Sequence, residues 1–423
     1  MLKANPGLLN ISIAKVLGTA PRLADELSRR PRILEAVLDP DFFGALLARS
    51  RLEEQAAGLM PPDLVLEEAM DRARLFAREQ KFRVGVRVLS DTLSAEEAGQ
   101  GFSQIAEVVI ARLLSAVQVE MTARHGRVEG GEVAVIAMGK LGGREMTAGS
   151  DLDLILIYNH AAAAQTSDGA RPLSPAQYYQ KLTQRLITAL TVPTSEGELY
   201  EVDMRLRPSG SKGPVAASLQ SFKAYHADEA WTWEHLALTR ARVIAGDAAL
   251  SAIISATIAA TLSRPRDVAR TCADVREMRA LMLAEHKPAS CWDIKRSRGG
   301  LVELEFIAQF LQLAHSQSKG GLLFTNTGEA LQAALAAGLV SRQEGEILLS
   351  AGPLFHRLTQ VLRLCINGDF EPENALSGLN RAVALAAEAP DIHVAEALLK
   401  ARQEEVARVF DAIVGPPVLP PKK

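Results

Sequence analysis

The sequence predicts a mostly helical α+β protein with one small mixed sheet set between helical regions. Three observations predict it. Apolar residues recur at helical spacing up to about residue 125, the period changes at Gly126 to short apolar or alternating runs, and helical spacing returns from Ser218. With 423 residues, 48% of them hydrophobic and 23% charged, the chain has room for more than one core. Three regions are expected: helical 1–125, a sheet-bearing unit 126–217, and a helical bundle 218–423.

The first region opens with a short helix from Ile11 to Leu17, stopped by Gly18. Thr19-Ala20-Pro21 starts a second, with proline near the first turn, and Asp39-Pro40 a third carrying Phe42, Phe43, Leu46 and Leu47. Pro61-Pro62-Asp63 precedes a long helix to about Leu89. Ser94 and Glu97 then have the spacing of a capping box, in which each side chain satisfies the other residue's free N–H. From there Phe102, Ile105, Val108, Val109, Leu113 and Val117 form one apolar stripe running to His125. This region shows no catalytic group, and its arginines and glutamates read as a solvated helix surface.

In the middle region Val133–Met138 is a continuous apolar run between glycines, which reads as a buried strand. The glycine-rich loop Gly139-Lys140-Leu141-Gly142-Gly143 follows, and Leu152–Tyr158 gives a second strand. Ser174-Pro175, with Gln177 three residues after the cap, starts a helix to about Leu190. Leu199–Leu206 is the third expected strand. Beyond Ser218 the reading is helical, with Trp292–Lys295 as one brief extended interruption before the basic run Arg296-Ser297-Arg298-Gly299-Gly300. A helix from Leu301 to Leu313 follows, and Ser341 with Glu344 caps another, closed by Asn367-Gly368.

The balance of 47 basic and 50 acidic residues, net −3, argues against a nucleic-acid partner. Cys272, Cys291 and Cys365 are odd in number and widely spaced, so they suit neither a disulfide framework nor a zinc site and read as buried thiols. The eight histidines show no ligand spacing. No apolar run approaches the ~20 residues that span a bilayer, and the opening Met1-Leu2-Lys3-Ala4-Asn5-Pro6 lacks the apolar core of a signal peptide. No membrane association and a cytoplasmic location are therefore expected.

Chemistry concentrates in the middle region. Asp151 and Asp153 stand two residues apart at the start of a strand, so both carboxylates project from one face while Leu152, Leu154 and Leu156 anchor the other. Two such carboxylates repel unless a cation lies between them. Mg²⁺ suits the place, because it takes oxygen ligands and commonly combines one or two carboxylates with substrate phosphates. Gly149-Ser150, just before them, offers bare backbone and a hydroxyl to a phosphate. In the run Glu201–Arg207 the residues Glu201, Asp203, Arg205 and Arg207 share one face. Asp203 would complete a three-carboxylate site, and Arg205 or Arg207 would bring positive charge to phosphates. Lys140 is a further candidate phosphate contact. Lys295, Arg296 and Arg298 suit a triphosphate, an acidic protein face or a solvated loop equally. Trp231 and Trp233 read as packing residues.

Gly-Ser, then Asp-x-Asp entering a strand, then one more Asp on a later strand, resembles the DNA polymerase β-like nucleotidyltransferases. That resemblance implies their fold and a site of two Mg²⁺ ions held by Asp151, Asp153 and Asp203, since displacement of pyrophosphate uses one ion at the attacking hydroxyl and one at the triphosphate. Three longer blocks narrow it. Met138–Glu145 leading into Gly149–Leu154, Glu201–Gly210, and Ile294-Lys295 with Arg298–Ile307 closely resemble the signature of the glutamine synthetase adenylyltransferase family. The resemblance implies ATP as substrate, glutamine synthetase as protein partner and P-II signal proteins as regulators. Family members usually carry two such units, one adding AMP to a tyrosine of glutamine synthetase and one removing it by phosphorolysis. Ala230–His235, Thr239–Val243 and the uninterrupted Arg207-Pro208-Ser209-Gly210 are more like the adding unit, so AMP transfer is expected.

Overall fold

A computed structural model describes residues 18–20, 23–24, 46–62 and 64–419. The helices expected at 11–17, from 19–21 and from Asp39 lie wholly or largely outside these residues.

Among the described residues three helices precede the sheet: α1 (Arg49–Leu59), α2 (Leu66–Leu89) and α3 (Ala95–His125). The Ser94/Glu97 capping box forms as expected at the start of α3. By length and composition α3 could cross a bilayer, contrary to the sequence reading, but most of its apolar stretch is buried inside the protein. It is the core helix against which α1 and α2 pack. Its one deeply buried acid, Glu107, is paired with both Arg49 and Arg242, which removes the penalty of an uncompensated interior charge.

The sheet consists of β1 (Glu132–Ala137), β2 (Leu152–Asn159), β3 (Val202–Asp203), β4 (Ala216–Ser218) and β5 (Arg242–Gly246). Its order is β3-β2-β1-β5, with β4 following β3 along the same edge of β2. β1 runs antiparallel to β2 and β5, whereas β3 and β4 run parallel to β2, so the sheet is mixed. β1 and β2 are buried almost throughout, because helices cover them: α5 (Pro175–Thr191) packs on α3 and β4, α6 (Leu219–Asp228) on β2, and α8 (Ala248–Leu262) on β1 and β5. Between β1 and β2 the glycine-rich stretch closes into the single turn α4 (Gly139–Gly142). The short α7 (Thr232–Leu238) precedes β5.

The remaining helices are α9 (Val268–Glu285), α10 (Leu301–His315), α11 (Thr327–Ala336), α12 (Arg342–Cys365), α13 (Ser377–Ala386) and α14 (Ile392–Ile413). α10 packs against α9, α11, α12 and α14. α12 also reaches back to α2 and α3, which brings its C-terminal turn to the sheet-bearing unit.

Three expectations need correction. The third strand is two residues long, not eight, because the Asp203 carboxylate accepts the Arg205 backbone N–H at 2.8 Å and starts a turn that the Arg207 N–H to Met204 carbonyl bond continues. Residues 292–295 form a turn instead of an extended segment: the N–H groups of Arg296 and Ser297 both bond the Asp293 carbonyl. β5 lies in a stretch expected to be helical, yet its Arg242, Val243, Ala245 and Gly246 pair with β1, with Ile244 the extra residue of a bulge opposite Val135/Ile136. The sheet therefore draws a strand from beyond residue 217.

Candidate active site

The parallel pairing of β2 and β3 sets Leu152 opposite Val202 and Asp153 opposite Asp203. In-register residues of neighbouring strands share a face at a spacing of about 4.8 Å, so Asp153 and Asp203 stand side by side. Asp151 occupies the exposed position just before β2. Burial and the charges of Asp151 and Asp203 push the Asp153 carboxyl up to about 6, against the opposing pull of Lys295 and Arg240. Asp203 moves the other way. Arg205 donates to it from Nε at 2.8 Å and Nη2 at 2.5 Å, holding it below the usual carboxylate range. Arg205 itself lies with most of its side chain in solvent.

Among the described residues no three Asp, Glu, His or Cys side chains already converge as a chelating set. The contact with Arg205 is the visible reason at Asp203, since it draws that carboxylate toward a cation of the protein. The fit to divalent ions is thus one of placement: oxygen donors, adjacent in register and repelling one another, with the solvent-exposed Arg205 on one of them.

The loop before Asp151 is closed by its own hydrogen bonds. Ser150 Oγ accepts the Thr147 N–H at 2.9 Å and lies 3.0 Å from Thr147 Oγ1, while the Ser150 N–H bonds the Thr147 carbonyl. Gly149 is exposed at the bend. A cleft of about 580 Å³ opens beside Gly149, Ser150 and Asp151, walled by α2 and by Arg363 of α12.

Behind the acids, the glycines explain the tight path of the chain. Gly139 has φ +53°, and a Cβ there would fall 2.1 Å from Asp153 Oδ2, so only glycine lets the turn lie against this carboxyl. The Met138 N–H also bonds the Asp153 carbonyl at 2.9 Å. Gly142 admits the Arg240 backbone, whose carbonyl oxygen would lie 1.8 Å from a Cβ. Arg240 is buried and paired with Glu145 and, at 2.9 Å, with Glu305. Glu145 in turn accepts the Thr327 N–H at 2.7 Å and its hydroxyl at 3.1 Å at the start of α11. A buried ion network thus fixes the acids' supporting turn to the helices that follow the sheet.

The other expected phosphate contacts divide. Lys140 is half-buried on α4, and burial together with Lys295 lowers its ammonium to about 8. Arg207 is buried and turned inward, donating to the carbonyls of Met204, Gly213 and Pro214. Its guanidinium closes the turn after β3 instead of continuing the charged face that alternation implied. Arg298 is likewise held by Glu303 and Asp411, while Lys295 and Arg296 are exposed. Lys295 reaches Asp153 electrostatically and Arg363 borders the cleft, two contributions from distant sequence. The basic run at 295–298 signalled the first; nothing local marked the second.

Two further readings change. Trp231 is 71% exposed and Trp233 38%, so neither is a core residue. Trp231 is instead positioned by its N–H bond to Glu234, which also accepts the Tyr225 hydroxyl. Of the three thiols only Cys365 is buried.

The family model described as glutamate-ammonia ligase adenylyltransferase matches residues 11–257, and that described as GlnD PII-uridylyltransferase matches residues 273–410. Among curated relatives, the bifunctional glutamine synthetase adenylyltransferase/adenylyl-removing enzyme of Bradyrhizobium sp. strain BTAi1 is 46% identical over 402 residues, covering 95% of this chain and 41% of the relative. Those of Mesorhizobium japonicum and Brucella suis biovar 1 are 45% identical over 414 and 415 residues, in each case 98% of this chain and 42% of the relative. The chain spans about two fifths of the length of the curated relatives it matches.

Proposed function

The chain belongs to the glutamate-ammonia ligase adenylyltransferase family, and from that premise we propose that it transfers AMP from ATP to a tyrosine of glutamine synthetase. The observation that carries this reading is the Asp153–Asp203 register on a mixed sheet entered through Gly149-Ser150-Asp151. We read that unit, 126–217 together with β5, as DNA polymerase β-like, set between a helical region 1–125 and the helices of 218–423. Asp151, Asp153 and Asp203 would hold two Mg²⁺ ions, which supply positive charge to the phosphates and to the attacking oxygen.

The chain's own groups have distinct tasks in this reading. Gly149 and the Ser150 hydroxyl approach the phosphates, with Lys140 behind them. The tyrosine oxygen forms the new bond to the α-phosphorus as the bond to pyrophosphate breaks. Asp203, held ionised by Arg205, accepts the hydroxyl proton through the lone pairs that Arg205 leaves free. Arg205 is exposed and free to shift toward the incoming phosphates. The exposed Trp231 and Trp233 suit contact with the protein substrate, since tryptophan is favoured in interfaces. The helices after β5 are the proposed docking region for P-II proteins, in keeping with the match over 273–410. The reaction is placed in the cytoplasm, with no nucleic acid or membrane involved.

Direction is tested with both forms of glutamine synthetase. Unmodified enzyme plus Mg²⁺ and ATP should gain AMP on a tyrosine, seen by mass spectrometry. ADP release from adenylylated enzyme plus phosphate, with no ATP-dependent gain, would assign the removing reaction instead.

A further inference from the structure

Three cations from separate parts of the chain meet beside the acidic site. Lys140 comes from α4, Lys295 from the loop ahead of α10, and Arg363 from the last turn of α12. All three line a cleft of about 320 Å³, and Arg363 also borders the larger cleft beside Gly149, Ser150 and Asp151. Neighbouring basic side chains are neutralised within the protein: Arg240 by Glu145 and Glu305, Arg279 by Glu303, Arg298 by Glu303 and Asp411. Lys140, Lys295 and Arg363 have no such side-chain partner among the described residues. Glu305, the acid that offsets Lys140 electrostatically, is bonded to Arg240. Three cations gathered on one cleft give it a positive field that an entering polyanion would complement.

The same cleft contains a second, independent sign. The Trp292 indole N–H and the Thr359 hydroxyl are buried there with no hydrogen-bond partner. An indole N–H can only donate, so it calls for an acceptor. The cleft's carboxylates do not compete at the centre: Asp293 is engaged by the Arg296 backbone N–H, and Asp369 is exposed.

We propose that Lys140, Lys295 and Arg363, with the Trp292 and Thr359 donors, form a polyphosphate-binding wall, so that the helices after the sheet supply part of the active site. The proposal rests on the nucleotidyl-transfer reading for its place in the reaction, where the wall would receive the β- and γ-phosphates of the nucleotide and the pyrophosphate that leaves. An orthophosphate site for the reverse chemistry shares these contacts, and the binding experiment separates the two.

Isothermal titration of the full chain in EDTA, with tripolyphosphate, pyrophosphate and orthophosphate, tests the wall without requiring turnover. Tripolyphosphate should bind saturably, with orthophosphate weaker. Lys295→Gln and Arg363→Gln should each weaken tripolyphosphate about tenfold or more, the scale of a lost charge-assisted contact. Lys295→Arg should stay within a few-fold of wild type. Both residues are exposed and unpaired, so unchanged melting is expected for the variants. The proposal is overturned if wild type shows no saturable tripolyphosphate binding, if both glutamine variants bind it as wild type does, or if orthophosphate binds as tightly. Binding that depends on Lys295 and Arg363 in a chain that transfers no AMP would leave the wall standing and remove the transferase reading.

Discussion

At the scale of single residues, Asp153 concentrates the tension between stability and chemistry. Its carboxyl sits beside Asp203, feels the charge of Asp151 and occupies the space a Gly139 side chain would need. A carboxyl raised from 3.8 to about 6 favours the folded state only while protonated. The resulting penalty grows as pH rises through that interval and is fully present above it. A displacement of this size corresponds to about 3 kcal/mol at most. Asp153→Asn should therefore raise the melting temperature in EDTA at pH 7.5 and have little effect near pH 4. Added Mg²⁺ should narrow the difference by stabilising wild type alone. A variant that melts below wild type at pH 7.5 would show that the carboxylate is not under repulsion. Gly139→Ala tests the same contact from the other side. The new Cβ collides with Asp153 Oδ2, and φ +53° strains any non-glycine residue. A loss of about 1–3 kcal/mol in urea unfolding is expected, together with loss of activity; wild-type stability and turnover would refute the assigned contact.

At the scale of elements, the structure turns on how the sheet-bearing unit is joined to the helices after it. The Glu145–Arg240 pair is buried and bridges α4, the approach to β5 and the start of α11. Removing Glu145 leaves Arg240 paired with Glu305 alone and the buried Thr327 N–H without its acceptor, so Glu145→Ala should cost about 1–3 kcal/mol in equilibrium unfolding. A loss under about 1 kcal/mol, within the range of a surface ion pair, would place the pair outside the core network. Elements with strong local signals were legible in the sequence. Capping boxes at Ser94/Glu97, Ser174/Gln177 and Ser341/Glu344 all form, and β1 and β2 were visible as apolar runs. β5 was not, because Val243 and Ile244 are a short apolar pair in a helical neighbourhood, and only pairing with β1 makes them a strand. The third strand was overread because alternation after Asp203 is also compatible with a turn, and the Asp203–Arg205 bond decides for the turn. The Asp153–Asp203 pairing needed a register that periodicity alone leaves undefined. Lys295 and Arg363 stand far from the acids in sequence, and only the packing of α12 and the loop before α10 brings them near.

At the scale of the whole molecule, two opposed charge sets define the working face. The sheet presents acids that repel one another, and the turn, loop and helix across from them present unpaired cations. A metal-bound nucleotide would complement both at once. Transfer of AMP through the paired aspartates is what we propose. The most direct test incubates the full chain with ATP labelled in the α-phosphate, Mg²⁺ and purified unmodified glutamine synthetase, using wild type and Asp153→Ala. Label on a tyrosine of glutamine synthetase is expected with wild type and only background with Asp153→Ala; equal labelling by the two proteins would contradict a role for the aspartates in the transfer.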